Sequence, residues 1–264
     1  MRNCIRAVFL GAFFSLWFSG NSNAFEVETG LGPVWWQYEE LSQARAGFAS
    51  TPLHSSSRGY GLEGELAVNG TVGEQWLANI ALVGMLPLNR ADERWDLANG
   101  TQSNRLDITE LEISSDLLYR FAAFDLGVWT AYQWHEQKRR SFVINGVAAA
   151  VSGEPVRETI QSAWAGVTMQ ASSHENGLTT KIEAAVPVWV KTTNSSLPGV
   201  AFTKKKGFRL GAQVAWEFPW GVDGMDWTAK IKYRYRELGD DLQAAALWPK
   251  NRWQTVSAGL EIHW

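Results

Sequence analysis

Three residues in this chain have the types and the spacing that acid–base chemistry needs: Asp107, Glu110 and His135. A short turn near residues 120–123 folds the segment carrying His135 back on the one carrying the two acids. His135 then falls roughly opposite Thr109, close to Asp107 and Glu110. An imidazole beside carboxylates can act as a general base on water. A lone histidine on a strand can equally be a hydrogen-bonded wall residue, so both readings stay open here. The other histidines offer less. His54 stands beside Ser55-Ser56-Ser57, and adjacent residues in a serine-rich loop rarely make an acyl-transfer pair; His174 sits in a turn with Glu175 and Asn176. Four scattered histidines and one cysteine form no metal cluster of recognisable spacing. There is no phosphate-cradling glycine loop, and nothing implies a cofactor.

A second constellation is electrostatic. Lys230, Lys232, Arg234 and Arg236 recur at every second position, alternating with Trp227, Ala229, Ile231, Tyr233 and Tyr235. That is a strand with one cationic and one apolar face. Acids occupy the matching phase elsewhere: Glu28, Glu63, Glu65, Glu110, Glu112, Asp116, Glu183 and Glu261.

The elements that must position these charges are strands. Ten segments with period-two character lie near 26–38, 58–69, 75–88, 105–119, 124–137, 156–170, 178–191, 206–218, 226–237 and 252–264. The connections alternate between short turns (70–74, 120–123, 171–177, 219–225) and longer polar loops (39–57, 89–104, 138–155, 192–205, 238–251). Short turns on one side and long loops on the other are the pattern of a transmembrane β-barrel. Apolar faces of eleven to thirteen residues suit a tilted strand crossing hydrocarbon. In the eighth segment Phe208, Leu210, Ala212, Val214, Trp216 and Phe218 form such a face, and in the seventh the same phase runs from Leu178 to Val190. The fourth is less regular. Leu106 and Ile108 share a phase that Leu111, Ile113 and Leu117 do not, which suggests a bulge near Thr109 or Glu110. Aromatics gather where strands would leave the membrane, Trp76, Phe121, Phe124, Phe218, Trp220, Trp227 and Trp264 on one side and Trp35, Tyr132 and Trp134 on the other. The expected fold is therefore all-β: a closed, antiparallel, up-and-down transmembrane barrel, most simply of ten strands.

Both chain ends bear on this. Arg2 and Arg6, the apolar run from Ala7 to Phe18 and the small-residue site Ser22-Asn23-Ala24 read as a cleaved signal peptide over residues 1–24, with the barrel over 25–264. Cleavage there removes the single cysteine, Cys4, and leaves 22 basic against 27 acidic residues, a net charge of −5 that argues against nucleic acid. At the other end Val256, Ala258, Leu260, Ile262 and Trp264 alternate with polar or small residues and close on an aromatic. This ending resembles the carboxyl-terminal signal of Gram-negative outer-membrane β-barrels, in which a terminal Phe is commoner than Trp. The resemblance implies handling by periplasmic chaperones and the barrel-assembly machinery, and a location in the outer membrane among lipids and lipopolysaccharide. It fixes no oligomeric state. Ten-stranded barrels include the omptin proteases, which carry paired acids and an Asp/His couple high in the barrel. No residue-by-residue match to their motifs is present here.

In a barrel, four cations facing lipid would cost several kcal/mol each, so Lys230, Lys232, Arg234 and Arg236 must face the lumen with the acids. Either the charges pair into a salt-bridged polar plug, since buried cations need partners, or a basic wall faces an acidic wall across a narrow porin-like channel. A lipid-modifying or omptin-like hydrolase built on Asp107, Glu110 and His135 is the enzymatic alternative. The loop-side cations, Lys138-Arg139-Arg140, Lys204-Lys205-Lys206, Arg90, Arg94, Lys250 and Arg252, read mainly as solvated charge. Some of them could instead engage lipopolysaccharide phosphates by charge-assisted hydrogen bonds.

Overall fold

The period-two segments form strands in a computed structural model, which describes residues 25–42, 53–97, 100–151, 153–173, 176–203, 206–222, 225–243 and 246–263. The expected signal peptide, His174, Glu175, Lys204, Lys205 and the terminal Trp264 lie outside the described residues. In chain order the wall is built from β1 (Phe25–Ser42), β2 (Leu53–Val72), β3 (Trp76–Pro87, continued by Ala91–Leu97), β4 (Gly100–Arg120) and β5 (Asp125–Ile144). It is completed by β6 (Val156–Ser173), β7 (Leu178–Asn194), β8 (Gly207–Val222), β9 (Met225–Leu238) and β10 (Lys250–His263). Each strand pairs antiparallel with its neighbours in sequence. The ring closes where β1 meets β10, with Glu28 opposite His263 at one end and Leu41 opposite Lys250 at the other. This is a closed ten-stranded up-and-down barrel with no helix among the described residues.

On its outer surface the barrel carries an apolar band. Along β5 the outward residues are Leu126, Val128, Thr130, Tyr132 and Trp134, followed by Glu136, Lys138 and Arg140. Along β2 they run from Val68 through Leu66 and Leu62 to Tyr60, and then turn polar at Arg58, Ser56 and His54. Eight residues at about 3.4 Å each span about 27 Å along a strand, or about 21 Å of height at a tilt near 40°, close to the ~25 Å band of an outer-membrane barrel.

The strands run well past that band. β5 continues from Trp134 to Ile144, so much of what the sequence presents as long loops is barrel wall. This longer wall explains two departures from the expected pattern. β4 has no bulge near Thr109: its register with β5 is unbroken from Arg105↔Arg140 to Arg120↔Asp125. Leu106 and Ile108 instead point inward and are fully buried, while Leu111 and Ile113 point outward. The apolar phase changes because the outer surface leaves lipid for water at this height. In β7 the change has another cause. A true register shift opposite Ala163 and Trp164 turns Trp189 outward and Val190 inward, so the apolar face does not continue to Val190 in one phase.

Candidate functional site

Every member of the expected charge ladder faces the interior. On the turn side lies a cavity of about 720 Å³. Its lining holds nine acidic side chains and six basic ones, a balance of three negative charges. Lys230 Nζ stands 2.5 Å from Glu261 and within 3.9 Å of both Glu65 and Glu28, and Lys181 lies 2.5 Å from Asp116 and 3.4 Å from Glu183. Farther from the turns, Lys232 bridges Glu63 at 2.8 Å and Glu65 at 2.5 Å, and Arg234 donates to Glu63 and to Thr255. Arg209 grips Glu112 through both terminal nitrogens, at 2.5 and 2.9 Å, with its guanidinium 4.4 Å above the Trp129 ring. Arg236 donates to Gln133 and lies 3.7 Å from Glu110. The pairing follows from burial: an ion removed from water is tolerated only beside a counter-charge with its remaining hydrogen bonds met.

His135 and Glu110 come together. They are register partners, and His135 Nδ1 lies 3.0 Å from Glu110 Oε2 while Gln137 holds Nε2 at 3.1 Å. Asp107 does not join them. It points outward, away from the lumen, and forms ion pairs with Arg140 at 3.1 Å and Arg90 at 3.6 Å. The three-residue constellation is therefore split by the one-residue difference in strand phase. His135 has no exposed surface and is packed against Trp253 and Tyr38. Neither His135 nor Glu110 lines the turn-side cavity.

What the sequence reading misses is the apolar and ionic filling of the loop-side half. Val34, Trp36, Tyr38, Met85, Ala91, Leu106, Ile108 and Trp253 form one buried cluster, with Trp36 stacked on Trp253 at 5.4 Å. A second, reaching from the band into this half, gathers Trp129, Ala131, Ile160, Trp164, Ala185, Val190 and Leu238. In this half also lies an ion hub around Arg139. Its guanidinium donates to Glu93 at 2.6 and 3.1 Å, to Glu158 at 2.8 Å and to Glu40 at 2.9 Å. Asn104 and Ser55 also donate to Glu93, and the Tyr38 hydroxyl donates to Glu40. The outward residues at this height, Lys138 and Arg140, are charged, so the hub stands beyond the lipid-facing band. Burial pushes the Glu93 carboxyl up, but Arg139 outweighs it and holds the group below its ordinary value. Glu40, equally buried and close to Glu93, lies above its own. Arg139 is thus not solvated loop charge. The signal for it was present: Gln133, His135, Gln137 and Arg139 continue one inward phase of β5.

No protein family matches the sequence, and no curated protein matches it. Solved structures do match in shape. The outer-membrane protease OmpT from Escherichia coli aligns with a TM-score of 0.59 and 11% identity, covering 93% of this chain and 98% of that one. The translocator domain of the autotransporter NalP from Neisseria meningitidis gives a TM-score of 0.42 at 10% identity, with 100% and 97% covered. Ail, the attachment invasion locus protein of Yersinia pestis, gives 0.37 at 10%, with 90% and 98% covered. With its closed ring of ten antiparallel strands and its apolar outer band, the chain has the fold of a Gram-negative outer-membrane β-barrel.

Proposed function

We propose that the chain is an integral outer-membrane protein, exported on a cleaved leader of residues 1–24, that serves as a non-enzymatic, non-conducting envelope or surface barrel. The observation that carries this reading is the filled loop-side half: the Trp36/Tyr38/Trp253 cluster and the Arg139 hub stand between the turn-side cavity and the loops. The ion pairs from Lys230 to Arg236 support a plugged polar lumen over a porin-like channel, because each of these side chains is at least 85% buried with a partner at hand. The enzymatic alternative loses its support where Asp107 leaves the pair and His135 has no surface to offer a substrate. Outward cations just beyond the band, Arg58, Arg105, Lys138, Arg140 and Arg157, suit the phosphates of lipopolysaccharide. The alternating ending from Val256 to Trp264 supports handling by periplasmic chaperones and the barrel-assembly machinery.

Conductance in a planar bilayer tests the proposal. The refolded protein should migrate in heat-modifiable form, yet give no steady openings and no turnover of basic peptides or lipid esters with lipopolysaccharide present. Steady openings would establish the channel instead, and turnover lost in His135→Ala would establish the hydrolase.

A further inference from the structure

The seam where the first and last strands close the ring carries a set of side chains that the charge network accounts for only in part. Glu26 and Glu28 of β1 and His263 of β10 meet at the turn-side mouth, all three lining the cavity. His263 Nδ1 stands 2.8 Å from a Glu26 oxygen and 3.5 Å from a Glu28 oxygen, and one ligand atom from each residue lies within 4.8 Å of the others. Donors each about 2.1 Å from a zinc ion sit ~3.0–3.5 Å apart, and the histidine nitrogen already stands near that range from both carboxylates. A single Nδ1–H serves one acceptor, whereas two carboxylates converge on this nitrogen.

The local charge points the same way. Lys230 is shared among Glu28, Glu65 and Glu261, and Lys232, the next cation, is committed to Glu63 and Glu65. Asn69 gives Glu28 one neutral hydrogen bond. A second observation at this end of the cavity is Glu261. Its side chain is 96% buried and lines the same cavity, two residues from His263. One oxygen meets Lys230, and the other has no hydrogen-bond partner. Gly30, its register partner on β1, has no side chain, and a Cβ there would meet Glu261 Cγ at 2.7 Å.

We infer that Glu26, Glu28 and His263 form a divalent transition-metal site of the zinc class. One imidazole and two carboxylates suit such an ion better than calcium, which takes oxygen ligands alone. Because the ligands come from β1 and β10, the ion ties the two ends of the barrel wall across their shared seam. The site is open to the cavity, so exchange needs no movement of the wall.

The test uses the full folded barrel, stripped with a chelator in detergent and titrated calorimetrically with Zn²⁺, with Ca²⁺ in parallel. One Zn²⁺ per chain should bind, with Ca²⁺ much weaker, and Zn²⁺ should raise the temperature of the gel band shift. Glu26 is 51% exposed at the rim, so Glu26→Gln should fold normally and weaken Zn²⁺ at least ~10-fold. Glu28→Gln should do the same, and His263→Ala should abolish binding and the thermal shift together. If His263→Ala does not assemble, the two glutamine variants decide the matter. No Zn²⁺ uptake by the stripped barrel, or unchanged affinity in folded Glu26→Gln and Glu28→Gln, would overturn the site and leave a plain histidine–carboxylate ion pair.

Discussion

Replacing Arg139 with methionine removes a charge while keeping most of the side chain's volume. The hub holds one guanidinium against three carboxylates whose side chains are 0–3% exposed, through four charge-assisted hydrogen bonds of 2.6 to 3.1 Å. Breaking a buried ion pair from one side costs roughly 3–5 kcal/mol, because the remaining charge is left without compensation. Three stranded carboxylates could cost more, but protonation sets a ceiling. Keeping a carboxyl protonated at pH 7 against an ordinary value near 4.3 costs about 3.7 kcal/mol per group, and at pH 5 only about 1 kcal/mol. In the variant the folded-state carboxyls lie above their unfolded values. Their contribution to stability is therefore present below the unfolded value and is lost as pH rises through the folded one. Arg139→Met should lower the free energy of unfolding by about 3–5 kcal/mol at pH 7 and recover ~2–3 kcal/mol of that at pH 5. Urea unfolding in lipid, followed by tryptophan emission and by the gel band shift, measures both. The neighbouring Arg140→Met is the control. Arg140 faces outward to Asp107, is 31% exposed, and should cost less than about 1 kcal/mol. Equal losses in the two variants, or an Arg139→Met loss independent of pH, would refute a dry ion hub beyond the band.

Other perturbations address the rest of the wall. Arg234→Ala removes one of the two cations on Glu63 and leaves Lys232 and Ser257 in place, so the unfolding free energy should fall by roughly 1.5–3 kcal/mol; unchanged stability would mean water screens the ladder. Gly32 faces the backbone carbonyl of Ala258 across the β1–β10 seam, and Gly32→Val should deplete heat-modifiable barrel from the membrane fraction. Val128 is 57% exposed within the outer band, and Val128→Arg should cost up to ~2–4 kcal/mol in lipid, with no cost in lipid placing the band elsewhere. Deleting Trp264 should deplete folded barrel while synthesis continues, as shown by pulse labelling; normal assembly would remove the terminal residue from the assembly signal.

Much of the wall was legible in the sequence because lipid imposes a strict two-residue period. The ten strands, the short turns and the inward ladder from Lys230 to Arg236 all follow from that rule. The loop-side half was not legible by the same rule, since both surfaces there can carry polar groups. Lys138-Arg139-Arg140 shows the difficulty. Three consecutive cations carry no visible alternation, although the middle one is buried in the hub and its neighbours face water. Asp107 fell outside the Glu110–His135 pair for the same reason, because linear proximity near the rim says nothing about which face a residue takes. His135 itself was placed within one residue, opposite Glu110 rather than Thr109.

The apparent irregularities carry information once the two surroundings are separated. Within the band, lipid outside and charge inside put apolar residues on the outer phase. Beyond it, water outside and a packed plug inside put them on the inner phase. A strand crossing that boundary inverts its apolar pattern without any change of backbone. β4 inverts between Ile108 and Leu111, β6 between Trp164 and Val167, and β10 between Trp253 and Val256. β1 inverts where Val34 and Trp36 turn inward beside outward Trp35, and Trp35 is the register partner of Val256. Neighbouring strands thus mark the same height independently. A mid-strand inversion in a barrel sequence can mean a bulge, as in β7, or a change of solvent, as in β4. The outward residues on the far side of the inversion tell the two apart. At the β7 bulge the register shifts and the next outward residue, Trp189, is still apolar before Lys191 follows, whereas β4, in unbroken register, continues outward with Asp107, Arg105 and Ser103, residues that belong in water.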